Sequence, residues 1–355
     1  MKVAFLGDIS LNDDYIDLYK ENVNPFLSIE PYLSDCDFVV GNLECMVIGN
    51  EGVNELKKPR LGTTLETLNY LKNIRLNVAC LAQNHVYDHL LDGYKKTVGF
   101  LKENRILYMG AGTSTEEAQK NIILEKNDIS IGLLNYVTLD TNPNLPDAAD
   151  VYLNVFDLNT ALLEITELKR KVRFLVVLLH WGGRVEGGLV PDWSQPAIAQ
   201  QLIDAGADLI VGHHTHTYQS YHIHKGKYTF YSLGNFCFSD INFESKLIPL
   251  TKRNKLTTIL TVHFEQDVYS FQSKFFRNHI THFEQYSSTK SILNDIYVKT
   301  MLNFKPFWYL YYFGLNNILP VWFYLTRKDL TLKFKVSRIY KSIIKKSGIW
   351  KKSLY

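Results

Sequence analysis

The sequence predicts an α/β fold, and three observations support this prediction. Short apolar runs rich in β-branched and aromatic residues alternate with longer stretches of helical spacing from the N-terminus to about residue 260. Ionisable or amide side chains directly follow several of those runs. The composition, with 46% hydrophobic and 21% charged residues, is that of an ordinary soluble globular protein, and 355 residues allow one large domain or two smaller ones.

Seven apolar runs are predicted to be strands. In chain order they are KVAFLG, CDFVVGN, LNVACLAQN, ISIGLLNY, VRFLVVLLHW, ADLIVGHH and YTFYSLGNF. Between them, the stretches GYKKTVGFLKENRI and SQPAIAQQLIDAG have helical spacing. The second helix is expected to end at Gly206, because glycine is the residue type most common just after a helix.

Polar side chains follow five of the predicted strands, at the point where each strand ends. They are Asp8, Asn42, Glu44, Asn84, His85, His180, His214 and His216. In open α/β sheets the ligand site lies beyond the carboxyl ends of the strands, so these side chains are expected to meet at one place. Carboxylate, amide and imidazole groups suit Mn, Fe(II), Zn or Mg, and six such groups can hold two ions bridged by a carboxylate. The six predicted ligands are Asp8, Glu44, Asn84, His180, His214 and His216.

The segment VGHHTHTYQS, residues 211 to 220, contains three of the eleven histidines of the chain. If it is extended, His214 and His216 point to the same side, because side chains alternate along a strand. Thr215 then points away, and His213 is expected to pack or to support the ligands. Gly212 is expected to allow either a close approach of two backbone segments or a strained turn. The histidines predicted to be structural or solvent-facing are His89, His222, His224, His263, His279 and His282.

His85 and Asp88 are the candidate catalytic residues. His85 is adjacent to the predicted ligand Asn84, so its side chain diverges from that ligand and is predicted to face the substrate as a proton donor or oxyanion stabiliser. Asp88 has two interpretations that the sequence leaves open. It either accepts a hydrogen bond that fixes the tautomer of His85, or it caps the following helix.

Arg184, Asn42 and Asn235 are the candidate substrate-binding residues. Arg184 lies in the glycine-rich segment HWGGRVEGGLVPDWSQP and could bind a phosphate or carboxylate through two hydrogen bonds. The alternative interpretation of Arg184 is a surface residue that takes no part in binding. Asn42 and Asn235 each follow a predicted strand, and Asn235 could instead support the ligands or cap a turn.

The motifs resemble those of the bacterial capsule-synthesis proteins, a CapA-like family of poly-γ-glutamate synthesis type in the calcineurin-like metallophosphoesterase superfamily. The resemblance rests on GDIS, DFVVGNLE, AQNHVYDHLLDG, HWGG, GADLIVGHHTHTYQ and YSLGNF, which follow the family order from about residue 3 to 240. It implies a sandwich of two mixed β-sheets flanked by helices, with a dinuclear metal centre at the strand ends. It also implies phosphoester hydrolysis with a metal-bound hydroxide as nucleophile.

The resemblance also implies a role for each matching residue. Glu44 lies between the two metals, and His85 matches the proton-donating histidine of the family. The remaining ligands divide into Asp8 and His216 for one ion, and Asn84, His180 and His214 for the other.

Four departures from the family pattern allow a narrower or altered activity. Ser10 stands where the superfamily usually has a histidine, and Gln83 stands where an asparagine is common. Thr215 replaces the usual proline. Arg184 takes the place of a glutamate, with Glu186 two residues later.

The C-terminal segment differs from the rest of the chain. Residues 306–326 carry no charge and are dense in aromatic side chains. Residues 327–355 hold ten Lys and Arg against one Asp, a net charge of +9. This combination indicates contact with an anionic membrane surface, with packed helices of the soluble domain and a membrane span as alternatives. We therefore expect a domain over residues 1–285, followed by a helical, aromatic and basic extension over residues 286–355.

The expected function is a metal-dependent phosphoesterase-type hydrolase in the synthesis of a capsule or another surface polysaccharide or polyglutamate. The alternative is a catalytically weak metal-binding scaffold of a surface-polymer synthesis or export assembly. Expected partners are two divalent ions, an anionic or phosphorylated substrate and other capsule-synthesis proteins; no nucleic acid is expected, because the basic tail has no recognition motif. The N-terminal apolar run is too short for a secretory signal and the four cysteines lack CxxC spacing, so we expect free thiols in a cytoplasmic protein, peripheral at the inner membrane face.

Overall fold

The computed structural model describes residues 1–286, 302 and 304–318. The chain divides into two compact units, Met1–Lys299 and Thr300–Tyr355. The predicted domain boundary after residue 285 adjoins residues outside the described ranges, and most of the predicted basic extension lies outside them too.

Twenty β-strands and seven α-helices lie in residues 1–286, besides single turns of 3-10 helix. The strands are β1 (Lys2–Ile9), β2 (Phe38–Leu43), β3 (Met46–Val47), β4 (Gly62–Thr63), β5 (Val78–Cys80), β6 (Leu107–Met109), β7 (Ala111–Gly112), β8 (Ile122–Lys126), β9 (Ile129–Val137), β10 (Tyr152–Leu153), β11 (Phe174–His180), β12 (Leu209–His213), β13 (Tyr218–His224), β14 (Lys227–Leu233), β15 (Asn235–Cys237), β16 (Ile241–Phe243), β17 (Lys246–Ile248), β18 (Leu256–Glu265), β19 (Val268–Asn278) and β20 (Phe283–Tyr286). The helices are α1 (Asp14–Lys20), α2 (Glu30–Ser34), α3 (Tyr70–Asn73), α4 (Leu90–Glu103), α5 (Thr115–Ala118), α6 (Leu158–Lys169) and α7 (Gln195–Ala205).

Two mixed sheets form the layers of a sandwich. The first has the strand order β20-β19-β18-β1-β2-β5-β6, with β15 paired to β1. Its strands β1, β2, β5 and β6 are parallel, whereas β18, β19 and β20 are antiparallel. The second has the order β13-β14-β12-β11-β9-β8, with a parallel centre. The predicted α/β sandwich of two mixed sheets flanked by helices is confirmed, and all seven predicted strands are present.

Alternate side chains of β1 separate two hydrophobic cores. Val3 and Phe5 pack in the core between the two sheets. Ala4 and Leu6 belong to the second core, which includes Leu101 of α4. Because β1 is covered on both faces, its sequence is apolar without alternation.

The second sheet carries α6 and α7 on its outer face. Helix α7 covers most of the predicted stretch and ends before Gly206, whose φ of 126° favours glycine. The predicted C-terminus of this helix is therefore confirmed. Helix α4 likewise covers most of its predicted stretch, residues 93–106.

Two glycines permit close backbone contacts beside the strand ends. A Cβ atom at Gly7 would lie 1.9 Å from the carbonyl oxygen of Gly234, which accepts a hydrogen bond from the backbone N–H of Asp8. A Cβ atom at Gly212 would lie 1.9 Å from the carbonyl oxygen of Tyr231. Of the two roles expected for Gly212, the structure shows the close approach.

The described part of the second unit begins with a helix, α8 (Lys305–Phe313), followed by a π-helical turn, Gly314–Ile318. The side chains of Phe307, Tyr309 and Leu310 are exposed. No helix within residues 1–286, 302 and 304–318 combines the length and the apolar character that crossing a membrane requires. The basic segment that was predicted to contact lipid lies outside the described residues.

Substitution Gly7→Ala is expected to destabilise the protein by about 1–3 kcal/mol, because the new methyl group meets backbone that cannot move without displacing β15. Urea unfolding followed by circular dichroism measures the effect. Gly99→Ala is the control: this glycine lies in α4 with no atom within 4 Å of an added Cβ, and alanine is favoured there by about 0.5–1 kcal/mol. A midpoint for Gly7→Ala equal to that of the wild type would contradict the expectation.

Candidate metal centre

The C-terminal ends of parallel strands from both sheets meet at one place. In the first sheet, Asp8 is the penultimate residue of β1, and Glu44 directly follows β2. In the second sheet, His180 is the last residue of β11, and His214 directly follows β12. These four side chains are buried. The structure thus brings together predicted ligands that lie up to 206 positions apart in the chain.

One group of donors surrounds the imidazole of His180. Its Nε2 atom lies 2.9 Å from Oδ1 of Asn84 and 3.0 Å from Nδ1 of His214. Two ligand atoms bound at about 2.1 Å to one ion, at a right angle, are about 3 Å apart, so these separations match those of ligands on a shared ion. The amide nitrogen of Asn84 donates to the carbonyl oxygen of Thr141, which turns the amide oxygen towards His180.

A second group pairs Asp8 with His216. Nδ1 of His216 lies 3.4 Å from Oδ2 of Asp8. The Glu44 carboxylate lies between the two groups: its Oε1 atom is 3.8 Å from Nε2 of His216 and 3.8 Å from Nε2 of His180. One oxygen of Glu44 also lies within 4.8 Å of donor atoms of both His214 and His216.

The Glu44 carboxylate tests whether these residues fit a cation. Both of its oxygens are buried, and neither has a hydrogen-bond partner among the described residues. Leaving a carboxylate in this state is costly unless a counter-charge is present, and a divalent cation would supply that charge and ligate the free atoms. The donor set therefore fits divalent metal.

The pKa values of the centre point the same way. Burial lowers the pKa of His180 and of His214 well below the ordinary value, and the neighbouring histidines add to this, so both are neutral, the form that binds metal. Burial and the charge of Asp8 raise the pKa of Glu44. Burial alone would lower the pKa of His216, but Glu44 and Asp8 raise it to about 10. A cation opposes protonation of both groups, so metal binding would release protons and strengthen as the pH rises.

The backbone of the histidine segment corrects one expectation. The segment was predicted to be extended, but β12 ends at His213, and His214 and His216 have φ angles of 90° and 56°. The two side chains reach the centre because the chain turns at each histidine. Such a conformation costs about 1–3 kcal/mol per residue, and surrounding contacts hold it. The N–H of His214 donates to Asp8, and Asn254 donates to the carbonyl oxygen of His216.

His213 faces away from the donors. Its Nε2 atom lies 3.1 Å from the carbonyl oxygen of Leu6 in β1, so it joins one sheet to the other. Thr215 is buried, and its hydroxyl donates to the carbonyl oxygen of Thr217.

His85 and Asp88 form a close pair at the edge of the centre. Nδ1 of His85 lies 2.6 Å from Oδ2 of Asp88, and both side chains are buried. The N-cap of α4 is His89, so Asp88 does not cap that helix. Burial lowers the pKa of His85, and the charge of Asp88 opposes this.

Asn42 and Asn235 lie behind the ligands. The Asn42 amide donates to Oδ1 of Asp8 over 2.9 Å, and its nitrogen lies 3.3 Å from Nδ1 of His180. Oδ1 of Asn235 lies 2.9 Å from Nδ1 of His216. Both asparagines are fully buried and neither lines the cavity described below, so their positions suit support of the ligands rather than substrate contact.

Arg184 points away from the centre. Its guanidinium group pairs with Asp192 over 3.1 Å, and its side chain is 71% exposed. It does not line the cavity, although Glu186, two residues later, does. In this arrangement Asp192 holds the guanidinium group, and the contact between Arg184 and an anionic substrate stays a prediction.

A cavity of about 420 Å³ opens onto the centre. Polar groups of the centre and apolar side chains both line it. Among the residues that line it are Lys57, Asn84, His85, Glu186, His214, His216, Phe238, Ile241, Ile248 and Leu250. Lys57 and the hairpin of β16 and β17 were not predicted to take part, because neither follows a predicted strand and no motif marks them.

Two family departures have structural partners. The hydroxyl of Ser10 is buried and donates to Oδ1 of Asn12 over 2.7 Å, so it is directed to a neighbour in the same loop. The side chain of Gln83 donates to the carbonyl oxygen of Leu43 and accepts from the backbone N–H of His85. Gln83 thus holds the segment that carries Asn84 and His85.

The sequence is similar to a named protein family and to two named proteins. Residues 2–240 match the family described as "Bacterial capsule synthesis protein PGA_cap". The chain is 30% identical over 248 residues to the PGA biosynthesis protein CapA of Bacillus subtilis (strain 168), covering 67% of this chain and 63% of that protein. It is 30% identical over 278 residues to the capsule biosynthesis protein CapA of Bacillus anthracis, covering 74% of this chain and 66% of that protein. The chain therefore spans slightly less than two thirds of the length of these two relatives.

A solved structure shares the fold. The crystal structure of a hypothetical protein from Thermus thermophilus aligns with a TM-score of 0.50 and 14% identity, covering 78% of this chain and 99% of that chain. The family match includes every predicted metal ligand, from Asp8 to His216, and covers more than half of the chain. The chain belongs to the bacterial capsule synthesis protein family, PGA_cap.

Proposed function

We propose that this chain is a metal-dependent hydrolase of phosphoester bonds that acts in the synthesis of a capsule or another surface polymer. The observation that carries the chemistry is the buried Glu44 carboxylate, which has no hydrogen-bond partner among the described residues and lies 3.8 Å from imidazoles of both donor groups. The biological setting rests on the family, and on two relatives named for PGA biosynthesis and capsule biosynthesis.

The two donor groups support a centre of two divalent ions. Asn84, His180 and His214 would hold one ion, and Asp8 and His216 would hold the other, with Glu44 between them. Bound divalent ions would polarise a phosphoryl oxygen and activate water as the nucleophile near neutral pH.

The residues around the ions would orient the reaction. His85 lines the cavity, and its Nδ1 atom is committed to Asp88, so Nε2 is the nitrogen left to donate a proton to the leaving oxygen. Asp88 stabilises the protonated imidazole, which burial alone would disfavour. Phe238, Ile241 and Leu250 give the cavity apolar surface, and the Phe238 ring lies 5.1 Å from that of His216, so these side chains would shield the centre from water.

A second candidate function is a metal-binding scaffold with weak turnover, part of a surface-polymer synthesis or export assembly. Ser10 favours it: the hydroxyl stands where the superfamily has a histidine, and it is directed to Asn12. The donor group of Asp8 and His216 thus has one imidazole fewer than the corresponding group of the superfamily. Measured turnover separates the two functions, because both retain the metal.

Substitution Glu44→Gln is expected to lower metal content well below that of the wild type, because the amide lacks the charge that draws a cation to this position. The metal-free form of the variant is expected to unfold at the same or a higher urea concentration, because an unpaired buried carboxylate is removed. Elemental analysis and urea unfolding check the two expectations. Full metal occupancy in Glu44→Gln would refute the role of Glu44 in the centre.

Substitution His85→Ala is expected to lower kcat for aryl phosphate monoesters and diesters about 10²- to 10⁴-fold in Mn-loaded protein, with metal content unchanged. His224→Ala is the matched control, because this histidine lies on β13, pairs with Asp204 of α7 and does not line the cavity. Absence of wild-type turnover with every substrate and metal would favour the scaffold. Equal kcat values for His85→Ala and the wild type would exclude His85 as proton donor.

We also propose that the C-terminal extension contacts an anionic membrane surface. The exposed aromatic side chains of α8 precede a segment with a net charge of +9, and both features favour the interface of anionic lipid. The full chain is expected to sediment with vesicles that contain phosphatidylserine and to remain soluble with phosphatidylcholine alone.

Neutralising four lysines of the tail tests this contact. The substitutions are Lys345→Gln, Lys346→Gln, Lys351→Gln and Lys352→Gln. Each basic residue near such a surface contributes about 1 kcal/mol, so the combined variant is expected to bind phosphatidylserine vesicles at least about tenfold more weakly. A variant with two surface lysines of the first unit replaced, Lys20→Gln and Lys225→Gln, serves as control. Equal binding by the tail variant and the wild type would refute the contact.

A further inference from the structure

Lys57 is a buried cation that the centre described above does not use. The residue is only 4% exposed, yet it lines the cavity. Its ammonium group donates to the carbonyl oxygen of Asn142 over 2.8 Å, and no ion pair joins it to a carboxylate within residues 1–286. Burial lowers its pKa, although the charges of Asp88, Glu44 and Glu186 oppose this. A buried charge of this kind is stabilised by an anion that enters the cavity.

The structure fixes Lys57 beside the ligands. The carbonyl oxygen of Asn142 accepts from Lys57, and the carbonyl oxygen of the preceding residue, Thr141, accepts from the amide of Asn84. Thr141 and Asn142 are consecutive residues, whose Cα atoms are about 3.8 Å apart. The ammonium group of Lys57 and the amide of Asn84 are therefore both held by the same short segment. The charge of Lys57 also acts on the pKa of His85 and of His214.

Asp88 holds both ends of the segment that carries Lys57. The backbone N–H of Asn54 donates to the carbonyl oxygen of Asp88 over 3.0 Å, and the N–H of Leu61 donates to Oδ2 of Asp88 over 2.6 Å. The same carboxylate contacts His85. One residue therefore positions the candidate proton donor and the loop that presents the cation, which is the arrangement a preformed anion site requires.

We propose that Lys57 binds a non-bridging phosphoryl oxygen of the substrate. This inference rests on the proposed function and names the substrate class as a phosphate ester whose oxyanion lies between the metal ligands and the ammonium group. Lys57 takes the anion-binding role that the sequence predicted for Arg184, whose guanidinium group is paired with Asp192 instead. The apolar wall formed by Ile241, Ile248 and Leu250 would then receive the part of the ester that carries no charge.

Lys58 does not offer the same binding site, although it also lines the cavity. Its ammonium group is paired with Glu244 over 2.8 Å, and its side chain is 56% exposed. Water and an existing partner therefore satisfy Lys58, which makes it the matched control for its neighbour.

The test measures the affinity of Mn-loaded protein for inorganic phosphate by calorimetry, which requires no turnover. Lys57→Met is expected to weaken phosphate binding about 10- to 100-fold, the range for loss of a hydrogen bond to a charged group, with metal content unchanged. Lys58→Met is expected to change the affinity less than about threefold, as for an exposed, already paired charge. Lys57→Gln, which keeps a hydrogen-bond donor, provides a second variant if Lys57→Met folds poorly.

The possible outcomes test the role of Lys57 separately from the proposed hydrolase function. Phosphate affinity unchanged in both Lys57 variants would overturn the inference, and so would equal losses in the variants of Lys57 and Lys58, which would indicate a general effect of positive charge. Absence of phosphate binding by the wild type would overturn it as well. Binding that depends on Lys57 in a protein without turnover would sustain this inference while the proposed hydrolase function fails.

Discussion

The Glu44 carboxylate is the constraint around which the centre is arranged. It lies where two sheets end, buried and without a hydrogen-bond donor in the described residues, and burial and the charge of Asp8 raise its pKa, which disfavours the negative charge. Such a charge persists in a folded protein only when a cation compensates it. The imidazole of His180 is neutral, and that of His216 lies 3.4 Å from the Asp8 carboxylate. The Nε2 atom of each lies 3.8 Å from Oε1 of Glu44. A divalent cation held here would therefore stabilise the folded state by mass action, because the unfolded chain does not assemble these donors.

Beside the hydrophobic core between them, the two sheets are joined near the candidate centre by specific polar contacts. Asn42 contacts Asp8 of the first sheet and His180 of the second, so one amide fixes the spacing between the two donor groups. His213 makes a further link from β12 to the backbone of β1. On the other side, the contact of Gly7 with Gly234 brings β15 against β1, and Asn235 of β15 then supports His216. Asn42 and Asn235, which the sequence suggested as substrate contacts, thus hydrogen-bond to the candidate ligands.

The sequence alone predicts the α/β class, because buried parallel strands appear in it as continuous apolar runs. It also predicts all six proposed ligands, because each of them follows one of those runs closely. The antiparallel strands β18 to β20 were not predicted, since their side chains are half polar and follow the last recognised motif. The turns at His214 and His216 also could not be foreseen, because left-handed backbone at histidine is set by surrounding contacts rather than by local preference. Lys57 and Arg184 show the same limit. Which of two cations faces a cavity depends on tertiary partners, here Asn142 and Asp192.

The several contacts of Asp88 have an evolutionary consequence. Its side chain and backbone join His85 to the segment between Asn54 and Leu61, so a change in any of these three places is transmitted to the other two. Substitutions there are expected to be epistatic, since neighbours that share one partner do not combine additively. The hairpin of β16 and β17 is coupled to the same segment, because Glu244, in the turn of the hairpin, pairs with Lys58 over 2.8 Å. If the cavity binds the proposed ester, a change of substrate preference along this wall would therefore require concerted substitutions in the hairpin, in the segment that carries Lys57 and Lys58, and at Asp88.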